Sequence, residues 1–241
     1  MEYTGKIAVV TGVSRGIGRE IVQQLAEGGA KVCAIGSSGK SIEALLSSLP
    51  SHSRVEGFIC DVSHELRVNE VCTEILGKYG RVDILVNNAG IWRDTYGPFA
   101  ESRSEDWRRK IEVNILGTMF FCRALIGNMI EKQYGRIINI ASVAGVYGKH
   151  NMADYAMTKG AVIAFTTSLA QEVSRYGITA NCVSPGNIRS TPDTPEHAEL
   201  SFAGRSGRNE ECARVVCFLA SEEASYVSGQ NYLVDGCRKK M

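Results

Sequence analysis

Short runs of apolar, mainly β-branched residues alternate along the chain with longer stretches of helical periodicity. The apolar runs predict seven strands, at 7–11, 31–36, 55–60, 83–89, 136–142, 178–184 and 231–235. The periodic stretches between them predict helices near 17–28, 40–49, 64–79, 105–131, 152–175 and 209–220. Because strands without alternating polar positions are buried on both faces, the pattern favours a parallel sheet covered by helices on both sides.

Strand–helix–strand alternation predicts an α/β fold, a single doubly wound (Rossmann) domain with a seven-stranded parallel sheet flanked by helices. We expect this one NAD(P)-binding domain to span residues 1–241, since no repeat or linker divides the chain. Ligands of such sheets bind beyond the carboxyl ends of the strands, where the polar and glycine-rich residues of this sequence fall. The irregular segment at about 187–208 is predicted to be a short substrate lid.

Composition and charge exclude several classes of protein. Of the residues, 44% are hydrophobic, and the formal net charge is +1, without the basic excess of a nucleic-acid binder. The N-terminus lacks a signal-peptide pattern and no uninterrupted apolar run approaches a membrane span, which predicts a soluble, cytoplasmic protein with no membrane partner. The eight cysteines and four histidines show no ligand spacing, so we expect mostly buried, reduced thiols and no metal site.

A glycine-rich turn follows the first predicted strand. Gly12, Gly16 and Gly18 lie where backbone N–H groups and a helix N-terminus can approach a pyrophosphate. Taken alone, the turn is equally consistent with a purely structural role.

Charge around this turn predicts the form of the cofactor. An NAD site commonly places an acidic residue after the second strand, but residues 36–40 contain none. Arg15, Ser37 and Lys40 offer donors for a 2′-phosphate, so NADPH/NADP+ is favoured over NADH/NAD+. Asp61 and Val62 follow the third strand and are expected beside the adenine, although an Asp there is as often a helix cap.

Together with Asn87–Gly90, Asn114, Ser142, Tyr155–Lys159 and Pro185–Gly186, the turn makes the chain resemble the classical short-chain dehydrogenase/reductase family from about residue 5 to 236. The segments NNAGI, ASVAG and FLASEEASYVSG are most similar to 3-oxoacyl-(acyl carrier protein) reductases. The resemblance implies a homotetramer and a catalytic tetrad of Asn114, Ser142, Tyr155 and Lys159. It implies cofactor contacts from Gly12, Ser14, Arg15, Gly16, Ile17, Gly18, Asn88, Ala89, Gly90, Tyr155, Lys159, Pro185, Gly186 and Ile188.

These residue types suit the transfer of a proton to a carbonyl oxygen. Lys159 lies on the same helical face as Tyr155, and at a separation of about 5 Å its charge is expected to stabilise the phenolate by about 3 kcal/mol and so lower the pKa of Tyr155. Ser142 can donate to the substrate oxygen. The resemblance suggests that Asn114 holds a water linking Lys159 to solvent. A Tyr and a Lys in this spacing are, by themselves, more typical of an ordinary helix surface.

Several functions fit these motifs. The first is NADPH-dependent reduction of a ketone, such as a 3-oxoacyl thioester, to a secondary alcohol. A sugar, polyol or hydroxysteroid dehydrogenase is the alternative that the short lid favours, and a non-catalytic NADP(H)-binding regulator is a third. The small-molecule carbonyl or alcohol could be carried by acyl carrier protein, for which the candidate basic patch is Arg93, Arg103, Arg108 and Arg109.

Two departures from the family pattern qualify the resemblance to acyl carrier protein reductases. The lid is shorter than theirs, which puts their acyl-chain and partner contacts in doubt. Gly236-Cys237 replaces a terminal Gly-Gly, and the basic tail that follows from Arg238 is interpreted as a solvated end.

Overall fold

The structure is a computed structural model that describes residues 1–92, 96–189 and 196–239. Its strands are β1 (Ile7–Thr11), β2 (Lys31–Gly36), β3 (Val55–Ile59), β4 (Ile84–Asn87), β5 (Gly135–Ile140), β6 (Ile178–Pro185), β7 (Ile188–Arg189), β8 (Gly207–Arg208) and β9 (Asn231–Val234). Seven of them form one parallel sheet in the order β3-β2-β1-β4-β5-β6-β9. The predicted doubly wound fold and all seven predicted strands are confirmed.

Helices connect the strands and cover both faces of the sheet. They are α1 (Gly16–Glu27), α2 (Gly39–Leu46), α3 (Glu65–Tyr79), α4 (Ser104–Lys110), α5 (Gly117–Lys132), α6 (Ala144–Tyr147), α7 (Ala153–Val173) and α8 (Asn209–Ala220). The predicted helix at 105–131 contains one turn of π-helix, Ile111–Leu116, between α4 and α5. The sequence analysis did not predict α6, the strands β7 and β8, or the π-helical turn.

Side chains on the two faces of the sheet belong to two separate cores. Val10 of β1 packs with Ile21 of α1 and Val216 of α8 on one face. Its neighbour Val9 packs with Phe121 of α5 on the other. Successive strand side chains point to opposite faces, so a strand covered by helices on both sides must be apolar throughout, as β1 is.

Seven of the eight cysteines are buried, and Cys237 is exposed. Burial of most thiols agrees with the expectation drawn from their apolar sequence surroundings.

The helical run Ser104–Lys132 is long and apolar enough, at a mean hydropathy of 1.4, to cross a membrane by length and composition alone. The sequence analysis, which looked for uninterrupted apolar runs, did not expect a segment of this length and hydropathy. Within this structure Phe121, Leu125 and Met129 of the run are fully buried against the sheet. That packing is typical of a core helix of an α/β protein.

The C-terminal tail is bound to the predicted lid. Arg238 and Ser201 form an antiparallel bridge, and the Phe202 N–H donates to the Cys237 carbonyl over 3.0 Å. The interpretation of the tail as a solvated end is therefore wrong up to Lys239, because backbone hydrogen bonds join it to residues 200–203. Residues 190–195 of the predicted lid lie outside the described residues.

Candidate active site

A cleft of about 870 Å³ runs along the carboxyl ends of the strands. This volume lies in the upper part of the range of small-molecule sites, about 300 to 1,000 Å³. All predicted site residues except Asn114 and Lys40 line it: Gly12, Ser14, Arg15, Gly16, Ile17, Gly18, Ser37, Asp61, Val62, Asn88, Ala89, Gly90, Ser142, Tyr155, Lys159, Pro185, Gly186 and Ile188.

The turn from β1 into α1 requires glycine at two places. Gly12 has a φ of +70° and Gly16 a φ of +61°, both in the left-handed region that favours glycine. A Cβ on Gly12 would also lie 2.6 Å from the Cα of Ala89, closer than packed atoms approach. The turn can therefore pass close to β4 only without side chains at these positions.

Polar groups of β1 and of the segment after β4 fix the turn in place. The Asn88 side-chain amide donates to the carbonyl oxygens of Thr11 over 3.0 Å and of Gly12 over 2.8 Å. The Thr11 hydroxyl oxygen accepts from the backbone N–H groups of Asn88 and Ala89, each over 3.0 Å. Asn88 thus holds the shape of the turn through the protein backbone.

The N-terminus of α1 opens into the cleft. Arg15 precedes it in an extended conformation, and within the described chain no side chain caps this end and no acidic residue stands in its first turn. Since the first N–H groups of a helix lack intrahelical partners and carry partial positive charge, this end suits an anion such as a pyrophosphate.

The residues after β2 have different roles, and not all of them line the cleft. Ser37 lines the cleft, whereas Ser38 caps α2 by accepting from the Ser41 N–H over 3.3 Å. Lys40 stands in the first turn of α2 and is not among the cleft residues, so its suggested role at a 2′-phosphate is not supported. Arg15 and Ser37 are the donors present at this end.

Asp61 is held by an ion pair that sequence reasoning did not predict. The Arg109 guanidinium donates to Asp61 Oδ2 over 2.7 Å, and the Ser63 N–H donates to Oδ1 over 3.0 Å. Burial alone would raise the pKa of Asp61, but the hydrogen bonds from Ser63 and the charge of Arg109 outweigh it and hold the pKa below its usual value. Asp61 therefore faces the cleft as a carboxylate.

The catalytic residues implied by the resemblance meet at the other half of the cleft. Ser142 follows β5, and Tyr155 and Lys159 lie on one face of α7. The Lys159 ammonium donates to the Ile140 carbonyl over 2.7 Å and lies 6.0 Å from the centroid of the Tyr155 ring. Ser142 interacts with the phenol of Tyr155, and the three side chains line the same cleft.

Asn114 lies behind this group, in the π-helical turn, and is buried. Its amide donates to the Ile91 carbonyl over 2.9 Å and to the Thr158 hydroxyl over 3.0 Å, and its Oδ1 accepts from the Ile91 N–H over 2.8 Å. These bonds join the segment after β4 to α7 beside Lys159. A π-helical turn at a polar, buried side chain is frequent at functional sites.

Burial dominates the protonation of Tyr155 and Lys159. It raises the pKa of Tyr155, and the hydrogen bond with Ser142 only partly opposes this. It lowers the pKa of Lys159 to about 8. Tyr155 therefore does not have the lowered pKa that the sequence analysis expected, because burial raises it and the Lys159 ammonium is directed at the Ile140 carbonyl.

The four arginines considered as a basic patch do not act together. Arg93 lies outside the described residues. Arg103 pairs with Asp106 over 3.2 Å, Arg108 stacks on Trp107 and Arg109 is bound to Asp61. Neighbouring acids thus neutralise two of the three described charges. Among residues 1–92, 96–189 and 196–239, no cluster of three His, Cys, Asp or Glu side chains could hold a metal.

Two features in or near the cleft were not predicted from the sequence. A buried ion pair joins Lys110 to Asp154, the residue directly before Tyr155. The cleft is also lined by Lys149, His197 and Arg238. Lys149 stands between Ser142 and Tyr155 in the chain, which is a signal that could have been used, whereas Arg238 reaches the cleft only through the folding of the tail.

Comparisons with known proteins agree with this geometry. The sequence model of the family described as short chain dehydrogenase matches residues 6–199. The 3-oxoacyl-[acyl-carrier-protein] reductase FabG of Escherichia coli (strain K12) is 40% identical over 243 residues, covering 98% of each protein. FabG of Thermotoga maritima is 37% identical over 246 residues, again at 98% of each. The crystal structure of levodione reductase superposes with a TM-score of 0.90 at 30% identity, covering 98% of each chain.

Proposed function

We propose that this chain, which belongs to the short-chain dehydrogenase/reductase family and is an oxidoreductase of C=O and CH–OH groups, is an NADPH-dependent reductase of ketones. The substrate class is a 3-oxoacyl thioester or a similar carbonyl compound, and the product is the secondary alcohol. The observation that carries the proposal is that Ser142, Tyr155 and Lys159 line the same cleft as the glycine-rich turn.

The cofactor half of the cleft fits a dinucleotide with a 2′-phosphate. The open N-terminus of α1 suits the pyrophosphate, Asp61 is a carboxylate available to the adenine amino group, and Arg15 with Ser37 offers donors to the phosphate on the ribose. When bound, the nicotinamide supplies the hydride. Pro185, Gly186 and Ile188 would hold the nicotinamide against Ser142 and Tyr155.

In this proposal Tyr155 gives its proton to the ketone oxygen and Ser142 donates a hydrogen bond to the same oxygen. A raised pKa keeps Tyr155 protonated at neutral pH, as an acid must be before it acts. Lys159, with a pKa of about 8, is mostly charged at neutral pH and stabilises the negative charge that develops on the phenol oxygen as the proton leaves. Asn114 positions Lys159 through Thr158 and the segment at Ile91.

The substrate class is supported by relatives named 3-oxoacyl-[acyl-carrier-protein] reductases that match nearly the whole chain. A cytoplasmic location and acyl carrier protein as the carrier of the substrate are proposed on the same ground. A homotetramer is proposed as well, and the exposed apolar side chains of Met119 on α5 and Met157 on α7 support it, since large apolar side chains on a helix face suit a subunit interface.

The test is oxidation of NADPH and NADH by the purified protein with acetoacetyl thioester, levodione, keto sugars and keto steroids. We expect NADPH to be consumed fastest with the thioester. Turnover with NADH alone would contradict the cofactor proposal, and binding of NADPH without turnover on any carbonyl would favour a regulator.

A further inference from the structure

Three basic side chains from separate parts of the chain also line the cleft. They are Lys149, His197 and Arg238. None of them takes part in the proton transfer or in the cofactor contacts proposed above. The proposed reaction and cofactor contacts therefore do not account for these three basic side chains in the cleft.

Hydrogen bonds fix the three segments of the chain that carry these side chains. Lys149 lies in the loop between α6 and α7, where its carbonyl accepts from the Met152 N–H over 3.1 Å. The His197 N–H donates to the Ser206 hydroxyl over 3.0 Å. Arg238 is placed by its bridge to Ser201.

The acidic side chains described in and near the cleft pair with groups other than Lys149 and Arg238. Among the cleft-lining residues with described positions the one acid is Asp61, which is bound to Arg109 at the cofactor end. Near the lid, Glu211 pairs with Arg205 over 2.6 Å, and Glu199 lies 3.1 Å from the His197 ring. Among the described residues that line the cleft, no acidic side chain is paired with Lys149 or Arg238.

The two cations lie close enough to affect each other. The pKa of Lys149 lies below its usual value, first because the side chain is partly buried and then because of the positive charge of Arg238. Two like charges beside one another are unfavourable, and an anion bound between them removes that repulsion. Hydrogen bonds from ammonium and guanidinium groups to carboxylate or phosphate oxygens are among the strongest that proteins form.

We propose that Lys149 and Arg238 bind an anionic group of the substrate, a carboxylate or a phosphate ester attached near the ketone carbonyl. The inference rests on the proposed ketone reduction and names the substrate class more closely. Because Lys149 and Arg238 line the same cleft as Ser142 and Tyr155, one small molecule can carry both the anionic group and the reacting carbonyl.

The test compares ketones that differ only in charge. The purified protein is assayed with NADPH on acetoacetate against its neutral ethyl ester, and on dihydroxyacetone phosphate against dihydroxyacetone. We expect kcat/KM to be higher for the anionic member of at least one pair, and the pair with the larger ratio shows whether the group is a carboxylate or a phosphate.

Two variants test whether Lys149 and Arg238 cause the preference for anionic ketones. In Lys149→Met and Arg238→Met the ratio of kcat/KM, anionic over neutral, is expected to fall about tenfold, or about 1.4 kcal/mol. The control is Lys132→Met at the end of α5, an exposed lysine outside the cleft that pairs with Glu131, and it should leave the ratio unchanged.

The inference is overturned if the unmodified protein has a ratio of kcat/KM, anionic over neutral ketone, near one, or if neither variant changes that ratio. Turnover of the neutral ketones in that case still supports the proposed function. If no ketone is reduced, the proposed function fails. In that case calorimetric titration of the NADP+-saturated protein with acetoacetate and with inorganic phosphate decides the anion site, and it stands only if Lys149→Met weakens binding about tenfold.

Discussion

Lys110 and Asp154 form an ion pair inside the protein, with 2.6 Å between Lys110 Nζ and Asp154 Oδ2. Their side chains are only 2% and 6% exposed. The other carboxylate oxygen of Asp154 accepts from the N–H of Tyr155 over 2.7 Å. The pair therefore ties the end of α4 to the first turn of α7, where the proposed proton donor stands.

Breaking this pair from one side should destabilise the protein strongly. Asp154→Asn leaves the buried ammonium of Lys110 facing a neutral amide, and we expect a loss of about 3 to 5 kcal/mol in the free energy of unfolding. Lys110→Met should cost a similar amount, while the double substitution costs less than the sum because no buried charge remains. Urea unfolding of the four proteins measures this coupling, and strictly additive losses would show that the two groups do not stabilise each other.

Removing the phenol hydroxyl of Tyr155 should abolish most turnover and spare cofactor binding. In Tyr155→Phe the proton donor is lost, and we expect kcat to fall by at least about 100-fold, the lower end of typical acid–base contributions. Binding of NADPH, followed by fluorescence titration, should change little. Tyr226→Phe, at a fully exposed tyrosine, is the matched control. A Tyr155→Phe protein with nearly full turnover would remove this residue from the mechanism.

Burial of Lys159 predicts that its charge destabilises the fold at neutral pH. The pKa of Lys159 falls from 10.5 to about 8 on folding, so between these values the unfolded chain binds more protons than the folded one, and the contribution of this group to stability rises with pH. Lys159→Met should raise the free energy of unfolding at pH 7 by up to about 3 kcal/mol, with the gain shrinking toward pH 10. Unfolding curves at pH 7, 9 and 10 test this, and a gain independent of pH would contradict it.

Arg15 should determine the preference for the phosphorylated cofactor. In Arg15→Ala we expect the Kd for NADPH to rise about 10- to 100-fold, the range of a hydrogen-bonded charge pair, and the Kd for NADH to change little. Arg19→Ala, at an exposed arginine of α1 outside the cleft, serves as the control. Equal losses for both cofactors would show that Arg15 contacts something other than the 2′-phosphate.

The sheet could be predicted from the sequence because each of its strands is an apolar run bounded by turn residues. β7 and β8 have two residues each and α6 has four, which is too short for any hydrophobic period to be recognised. The π-helical turn at 111–116 was also invisible, since one widened turn inside an apolar helix leaves the pattern of side chains nearly unchanged.

The sequence predicted which motifs form the cleft, but not which side chains interact with one another in and around it. Gly12, Ser142 and Tyr155 stand at strand ends or on helix faces whose positions follow from the fold. Lys110 and Asp154 lie 44 residues apart, and only tertiary packing shows that each is the counter-charge of the other. The protonation of Lys159 depends on burial, which a spacing of four residues does not report.

The bridge between Arg238 and Ser201 has a practical consequence for anyone producing this protein. An affinity tag fused after the last residue would extend a tail that is hydrogen-bonded to the lid and carries a cleft-lining arginine, so it could alter activity without altering the fold. Met1 is half exposed and no residue near it lines the cleft. Purification handles and surface attachment therefore belong at the N-terminus.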